Sequence, residues 1–189
     1  MRRLSFRPAL TIRGRKFKGL RGFAGKPLHP PLTDIPIGAY LLAAVFDVIS
    51  HVGHEESWAH DFYRAATFTL VAGAAVSLFT ALTGFWDWLK STEAGTQVRR
   101  EANAHALTMV TVTVLVLTTV GLRTLSYADD RYSGAVVVAL SIVAAALTAL
   151  GASIGGSLVF DHGFNVENAS DSPAYHASEK DVLPGDGDS

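Results

Sequence analysis

Four long stretches of this chain contain almost no charged residues, and they constrain its fold more than any other feature. One of them, ALTMVTVTVLVLTTVGL, has no charged side chain and so lacks the polar face of a helix in a water-soluble bundle. About 20 apolar residues in an α-helix cross the hydrocarbon core of a bilayer. We therefore predict an all-α integral membrane protein, a bundle of four transmembrane helices. The predicted spans are about 35–52, 65–88, 104–122 and 134–160.

The composition of the chain agrees with a membrane protein. Of its 189 residues, 49% are apolar and 17% are charged, whereas soluble domains carry about 25% charged residues. The chain contains no cysteine, which excludes disulfides and iron–sulfur or zinc sites built on thiolates. Histidine is therefore the residue type that remains for binding a soft metal or haem.

Basic residues are concentrated before the first predicted span, and this asymmetry predicts the topology. Short flanks rich in Lys and Arg stay on the cytoplasmic side of a membrane. We expect residues 1–28 to form a basic cytoplasmic arm, with Arg64, Arg123 and Arg131 in the outward loops. The membrane domain then spans 29–167, and 168–189 form a disordered acidic tail. The prediction is a multi-pass protein of the cell membrane with both termini cytoplasmic.

All four predicted helices bring titratable residues to the cytoplasmic face of the membrane. Ionisable residues at membrane depth are costly, so they are functional candidates by default. Neutral imidazole is the commonest metal ligand, and a carboxylate commonly orients its second nitrogen. The candidate cofactor ligands are His29, His105 and His162, and the candidate carboxylates that would orient them are Asp34, Asp87 and Asp161.

Two cofactor types suit these candidates. Two histidines on facing helices would ligate haem b, whereas three, or two with a carboxylate, would suit a divalent metal such as zinc, iron or copper. The competing interpretation is that these residues cap helices or form hydrogen bonds between them, with no cofactor bound. Asp34, for instance, precedes Ile35-Pro36 in the manner of an N-cap.

A second set of polar residues lies at the other end of the first span. Asp47, His51 and His54 share one helix face and form a weaker candidate metal site. The competing interpretation is a solvated loop. Asp47 lies about one turn inside the span and needs a partner, either His51 or a group on another helix.

Several short motifs carry a resemblance to a known family. They are HPPLTDIPIGAYLLAAVFD, ALTGFWDW, NAHALTM and GGSLVFDHGFNVE. In this order they resemble a bacterial family of small four-helix membrane proteins of unknown function. Its closing element is similar to Gly-Gly-x-Leu-Val-Tyr-x-His-Gly, with Phe160 here in place of the tyrosine. The motif positions of the family include His29, Asp47, Asp87, His105 and His162 but not His51, His54 or His60.

The resemblance also bears on function, because some family members look to be fused to, or encoded beside, Rieske iron–sulfur domains. We therefore predict a haem- or metal-binding electron-transfer or accessory subunit of a redox complex, with no enzymatic activity of its own. Its expected partners are membrane lipid, further copies of itself or a larger redox complex, and a Rieske-type protein, but not nucleic acid. The alternatives are a cofactor-free membrane scaffold or assembly subunit, and a small cation or proton transporter.

Overall fold

The computed structural model describes residues 19–22 and 26–166, and four long helices account for most of them. The helices are α1 His29–Val52, α2 Ala59–Ser91, α3 Gln97–Leu125 and α4 Ala135–Phe160. Each is long and apolar enough to cross a membrane, so the predicted all-α, four-helix class is confirmed. Most of the predicted basic arm and the whole predicted acidic tail lie outside the described residues.

Helix α1 begins at His29, earlier than the predicted start of the first span. Pro30 and Pro31 fit into its first turn, because backbone N–H groups at these positions have no partner within the helix. Asp34 consequently lies inside the helix, where it is exposed, and Leu28 occupies the N-cap position. The interpretation of Asp34 as an N-cap is therefore wrong, because Pro30 and Pro31 fit the first turn of a helix that begins before it.

A third proline inside α1 is compensated from the neighbouring helix. Pro36 has no N–H, so the carbonyl of Leu32, one turn earlier, loses its usual donor. The hydroxyl of Thr80 on α2 donates to that carbonyl at 3.3 Å. The hydrogen bond satisfies a backbone group at membrane depth and joins α1 to α2 near their shared end.

The four helices form a square in which α1 and α3 occupy opposite corners. Helix α1 packs on α2 and α4, and α3 packs on the same two helices. Small residues let the helix backbones approach closely, while the larger apolar side chains face outward, as expected in lipid. The buried core consists of Tyr40, Ala43, Ala66, Leu70, Ala74, Val112, Val116 and Ala144.

The first and second halves of the bundle repeat one helical hairpin. Asp47 on α1 and Arg123 on α3 are 76 residues apart and both are buried. The same separation relates His29, the first residue of α1, to His105, which lies about two turns inside α3. The buried residues of α2 are likewise related to those of α4 by a constant separation in sequence number. These pairs are Ala66 and Val137, Leu70 and Ser141, Gly73 and Ala144, Ala74 and Ala145, and Ser77 and Thr148.

Contacts between the two hairpins follow the same relation. The end of α1 meets the start of α4 where His51 Nδ1 lies 2.8 Å from the carbonyl oxygen of Ser133. The start of α2 meets the end of α3 where the hydroxyl of Tyr63 donates to the carbonyl of Tyr127 at 2.6 Å. The hairpins α1–α2 and α3–α4 are thus parallel repeats about an approximate two-fold axis, which runs along the bundle.

Candidate cofactor site

Two imidazole rings meet across the bundle at the end where α1 and α3 begin, which we call the histidine end. They belong to His29 and His105, on opposite corners of the square. Their ring centroids are 6.4 Å apart and their planes are inclined by 84°. Both rings are half-buried. The two halves of the chain therefore contribute equivalent side chains to one place near the two-fold axis.

The ring of His29 is fixed by helix α2. Its Nδ1 lies 3.0 Å from the carbonyl oxygen of Thr80 and 3.4 Å from the hydroxyl of Thr83. Because a carbonyl only accepts hydrogen bonds, Nδ1 carries the hydrogen and a neutral ring keeps its lone pair on Nε2. One turn further along α2, a Cβ atom at Gly84 would lie 2.6 Å from Cε1 of His29. Glycine at this position leaves the ring the space that it occupies.

The ring of His105 is held by α4 in the corresponding way. Its Nδ1 lies 2.9 Å from the carbonyl oxygen of Gly151. One turn later, a Cβ atom at Gly155 would lie 3.1 Å from Cε1 of His105. Each half of the bundle thus supplies an imidazole, a carbonyl that fixes its tautomer and a glycine that makes room for it. Hydrogen bonds of this kind orient metal-binding histidines in proteins.

The donor pair suits a group that needs two imidazole ligands. Bonds of about 2.0–2.1 Å from one metal ion to two opposed imidazoles place the ring centroids about 6 Å apart. The observed separation of 6.4 Å is close to this value. The described residues contain no group of three or more His, Asp or Glu side chains positioned to hold a metal ion. His29 and His105 would be the residues to hold a group that takes two imidazole ligands, such as haem.

The third predicted ligand has another partner. His162 follows the end of α4, and its Nε2 lies 3.0 Å from a carboxylate oxygen of Glu101 on α3. Asp161, predicted to orient a histidine, is exposed beside it. This contact connects the segment after α4 to α3 near the surface.

Of the other predicted carboxylates, Asp87 is buried and Asp34 is exposed. Asp87 accepts a hydrogen bond at 3.2 Å from the backbone N–H of Leu20, which precedes α1. It thereby attaches the segment before α1 to the end of α2. The Nδ1 atoms of both central histidines are bonded to backbone carbonyls instead of to these carboxylates.

At the opposite end of the bundle, which we call the ion-pair end, Asp47 is completely buried. Both of its carboxylate oxygens accept hydrogen bonds from Nη2 of Arg123. The hydroxyls of Ser133, at 2.6 Å, and Ser141 also donate to this carboxylate. Nη1 of Arg123 in turn donates to the hydroxyl of Thr67 at 2.9 Å. Such a network offsets the cost of removing two charges from water.

Arg123 lies within α3 and is 1% exposed, so its predicted place in an outward loop is wrong. The physical reason is the buried Asp47, since an unpaired carboxylate at that depth would be strongly disfavoured.

The two histidines of the weaker candidate metal site also contact backbone carbonyls. His51 contacts the carbonyl of Ser133, and His54 Nδ1 lies 3.2 Å from the carbonyl of His51.

Sequence reasoning missed Arg123 and the glycines that accommodate the two rings. An internal repeat was the available signal. His29 precedes Asp47 by the same number of residues as His105 precedes Arg123. Aligning the halves on these residues predicts the ion pair, because corresponding residues lie on opposite sides of the axis.

Comparison with known proteins gives one match. A profile of the family described as Predicted membrane protein (DUF2231) matches residues 25–168. No curated protein and no solved structure matches the chain. The family match covers all four helices and both ends of the bundle. It confirms the predicted relation to an uncharacterised membrane family, and the chain therefore belongs to the DUF2231 family of predicted membrane proteins.

Proposed function

We propose that this protein binds one haem b through His29 and His105. In this proposal it is an electron-transfer or accessory subunit of a membrane redox complex. The observation that carries the proposal is the symmetric histidine pair, in which both Nδ1 atoms are bonded to carbonyls and neither Nε2 atom has a hydrogen-bond partner among residues 19–22 and 26–166. A buried histidine that served only to join helices needs no equivalent ring from the other half of the chain.

Each ring of the pair lies directly against a glycine of the neighbouring helix. Gly84 and Gly155 present bare backbone beside the two rings, where a larger side chain would compete for space. When bound, the iron supplies one-electron redox chemistry. The residues of this chain hold the two imidazoles, fix their tautomers and keep them in a partly desolvated layer.

The position of the site indicates how such a protein would exchange electrons. The histidine pair lies at one end of the bundle, so its redox partner would dock at that membrane surface. The same end includes Lys90, Arg99 and Arg100, which favours a cytoplasmic orientation for it. The motif resemblance makes a Rieske-type protein, or a complex containing one, the first partner class to examine.

The test is a reduced-minus-oxidised optical spectrum of the detergent-purified protein, with metal analysis on the same sample. We expect a Soret shift and a sharp α band at about one haem per chain. His29→Ala and His105→Ala should each abolish these bands. His54→Ala, a change at an exposed histidine of the other end, is the matched control and should leave them unchanged.

Other results would overturn the proposal in distinguishable ways. A flat spectrum with a stoichiometric divalent metal that is lost in both variants would keep the histidine site but change its cofactor. A flat spectrum without metal would favour the cofactor-free scaffold, in which the two histidines only connect α1 to α2 and α3 to α4.

A further inference from the structure

A second feature of the bundle, independent of the histidine pair, is a cavity between α2 and α3 near the ion-pair end. Its volume is about 350 Å³. Helices α2 and α3 pack on each other less extensively than any other adjacent pair in the bundle, which leaves this seam open. The residues around the cavity include His60, Tyr63, Arg64, Thr67, Phe68 and Arg123.

Two buried polar atoms of these residues have no hydrogen-bond partner in the part of the chain that the structure describes. They are Nε of Arg123 and Nδ1 of His60. Arg123 is 1% exposed, and its other two nitrogens are already bonded to protein groups. A buried donor without a partner is costly, and native proteins rarely leave one unsatisfied. Both atoms belong to residues that line the same cavity, so the cavity is suited to a ligand that accepts hydrogen bonds.

Charge narrows the class of ligand. The positive charge of Arg123 is neutralised by Asp47, but Arg64 stands exposed at the rim of the cavity. Its guanidinium lies 5.7 Å from the centroid of the Phe68 ring. Nε of Arg123 is itself buried, so an oxyanion in the cavity would accept its hydrogen bond after a small shift of the side chains that cover it, and would meet a positive charge at the rim. Arginine is the side chain best suited to bind phosphate oxygens.

The surrounding surface indicates that the oxyanion carries an apolar tail. Phe68 is 64% exposed and Leu125, at the end of α3, is 87% exposed. Both lie on helices long and apolar enough to cross a membrane, so we expect them to contact lipid. Basic pockets between transmembrane helices bind lipid headgroups. We propose that this cavity binds the phosphate of a membrane phospholipid, with its acyl chains along the α2–α3 seam.

The experiment is native mass spectrometry of the full chain after delipidation in detergent, titrated with three probes. They are dioleoyl phosphatidylglycerol, the corresponding diacylglycerol and inorganic phosphate. We expect the phospholipid to bind at one site, the diacylglycerol not to bind there, and phosphate alone to bind far more weakly. Arg64→Ala should lower phospholipid affinity about fivefold, as expected for one solvent-facing charge.

Two further variants keep the result interpretable. Arg131→Ala removes an exposed arginine from the same end of the bundle, outside the cavity, and should leave the affinity unchanged. His60→Ala should lower it about twofold. Equal losses in Arg64→Ala and Arg131→Ala would show general surface attraction and overturn the site. Binding of diacylglycerol as tight as that of the phospholipid would overturn phosphate recognition, and tight binding of phosphate alone would make the ligand a free anion.

Discussion

The histidine end and the ion-pair end of the bundle use corresponding positions in opposite ways. At the ion-pair end, Asp47 and Arg123 carry opposite charges and bind each other directly. At the histidine end, His29 and His105 are identical, and within the described residues each is hydrogen-bonded only at Nδ1, by a neighbouring helix. Asp47 and Arg123 are complementary, so they bind each other across the axis. His29 and His105 are alike and do not bind each other, so both could bind a third group. We therefore expect the Asp47–Arg123 pair to act mainly on stability and the histidine pair to act mainly on the proposed cofactor binding.

The largest effect should come from breaking the ion pair. Arg123→Met leaves Asp47 buried with only hydroxyl partners, which should lower the free energy of unfolding by about 3–5 kcal/mol. Denaturant titration in detergent micelles, followed by far-UV circular dichroism, measures the change. The double variant Asp47→Leu/Arg123→Met removes both charges and should recover most of the lost stability. If the double variant is as unstable as the single one, packing and not charge explains the loss.

A smaller effect is expected from filling the space beside a histidine ring. Gly84→Ala places a Cβ atom 2.6 Å from Cε1 of His29, so the ring must move. We expect a loss of about 1–3 kcal/mol in the free energy of unfolding, together with a weakened Soret band. Gly38→Ala is the matched control, because nothing lies within 4 Å of a Cβ at that position of α1. Equal stability of the two variants would mean that the ring is not held against α2.

The symmetry of the histidine end makes a sharper prediction. His29→Ala and His105→Ala each remove one hydrogen bond to a carbonyl, so each should lower the free energy of unfolding by about 1 kcal/mol. Their effects on bound haem should also be alike, with loss of the α band in both. A variant that keeps the band while the other loses it would show that the two-fold relation does not extend to the ligand.

The smallest effect is expected at His162, the third histidine predicted as a ligand. His162→Gln removes its ion pair with Glu101 near the surface of the bundle. Such contacts contribute little, so the melting temperature should remain within experimental error. The optical spectrum should also be unchanged. Loss of the Soret band in this variant would return His162 to the set of ligands and displace one of the other two.

Much of the fold was predictable because the bilayer imposes a simple rule on sequence. A run such as residues 106–122, without a charge, satisfies its backbone in lipid only as a helix. The first residues of the helices were harder to predict from the sequence. Pro30 and Pro31 generally interrupt helices, but here they fit the first turn of α1. Helix ends depend on local hydrogen bonds that hydropathy does not report.

The candidate site was predictable in its residues but not in its geometry. Hydropathy places His29 and His105 near one membrane face, where the structure brings them together. It does not reveal that backbone carbonyls accept hydrogen bonds from their Nδ1 atoms. Every residue has a backbone carbonyl, so the sequence does not show which one binds a given side chain. Arg123 was misplaced because an arginine at the end of an apolar run resembles a loop residue until its buried partner is known.

Opposite charges at corresponding positions have a consequence for assembly of the chain. Two copies of the hairpin α1–α2 would bring two Asp47 carboxylates together, and two copies of α3–α4 would bring two Arg123 guanidinium groups together. Like charges in such a contact cost several kcal/mol, so each hairpin selects the other half as its partner. We expect the halves, separated between α2 and α3 and produced together, to reassemble into one bundle.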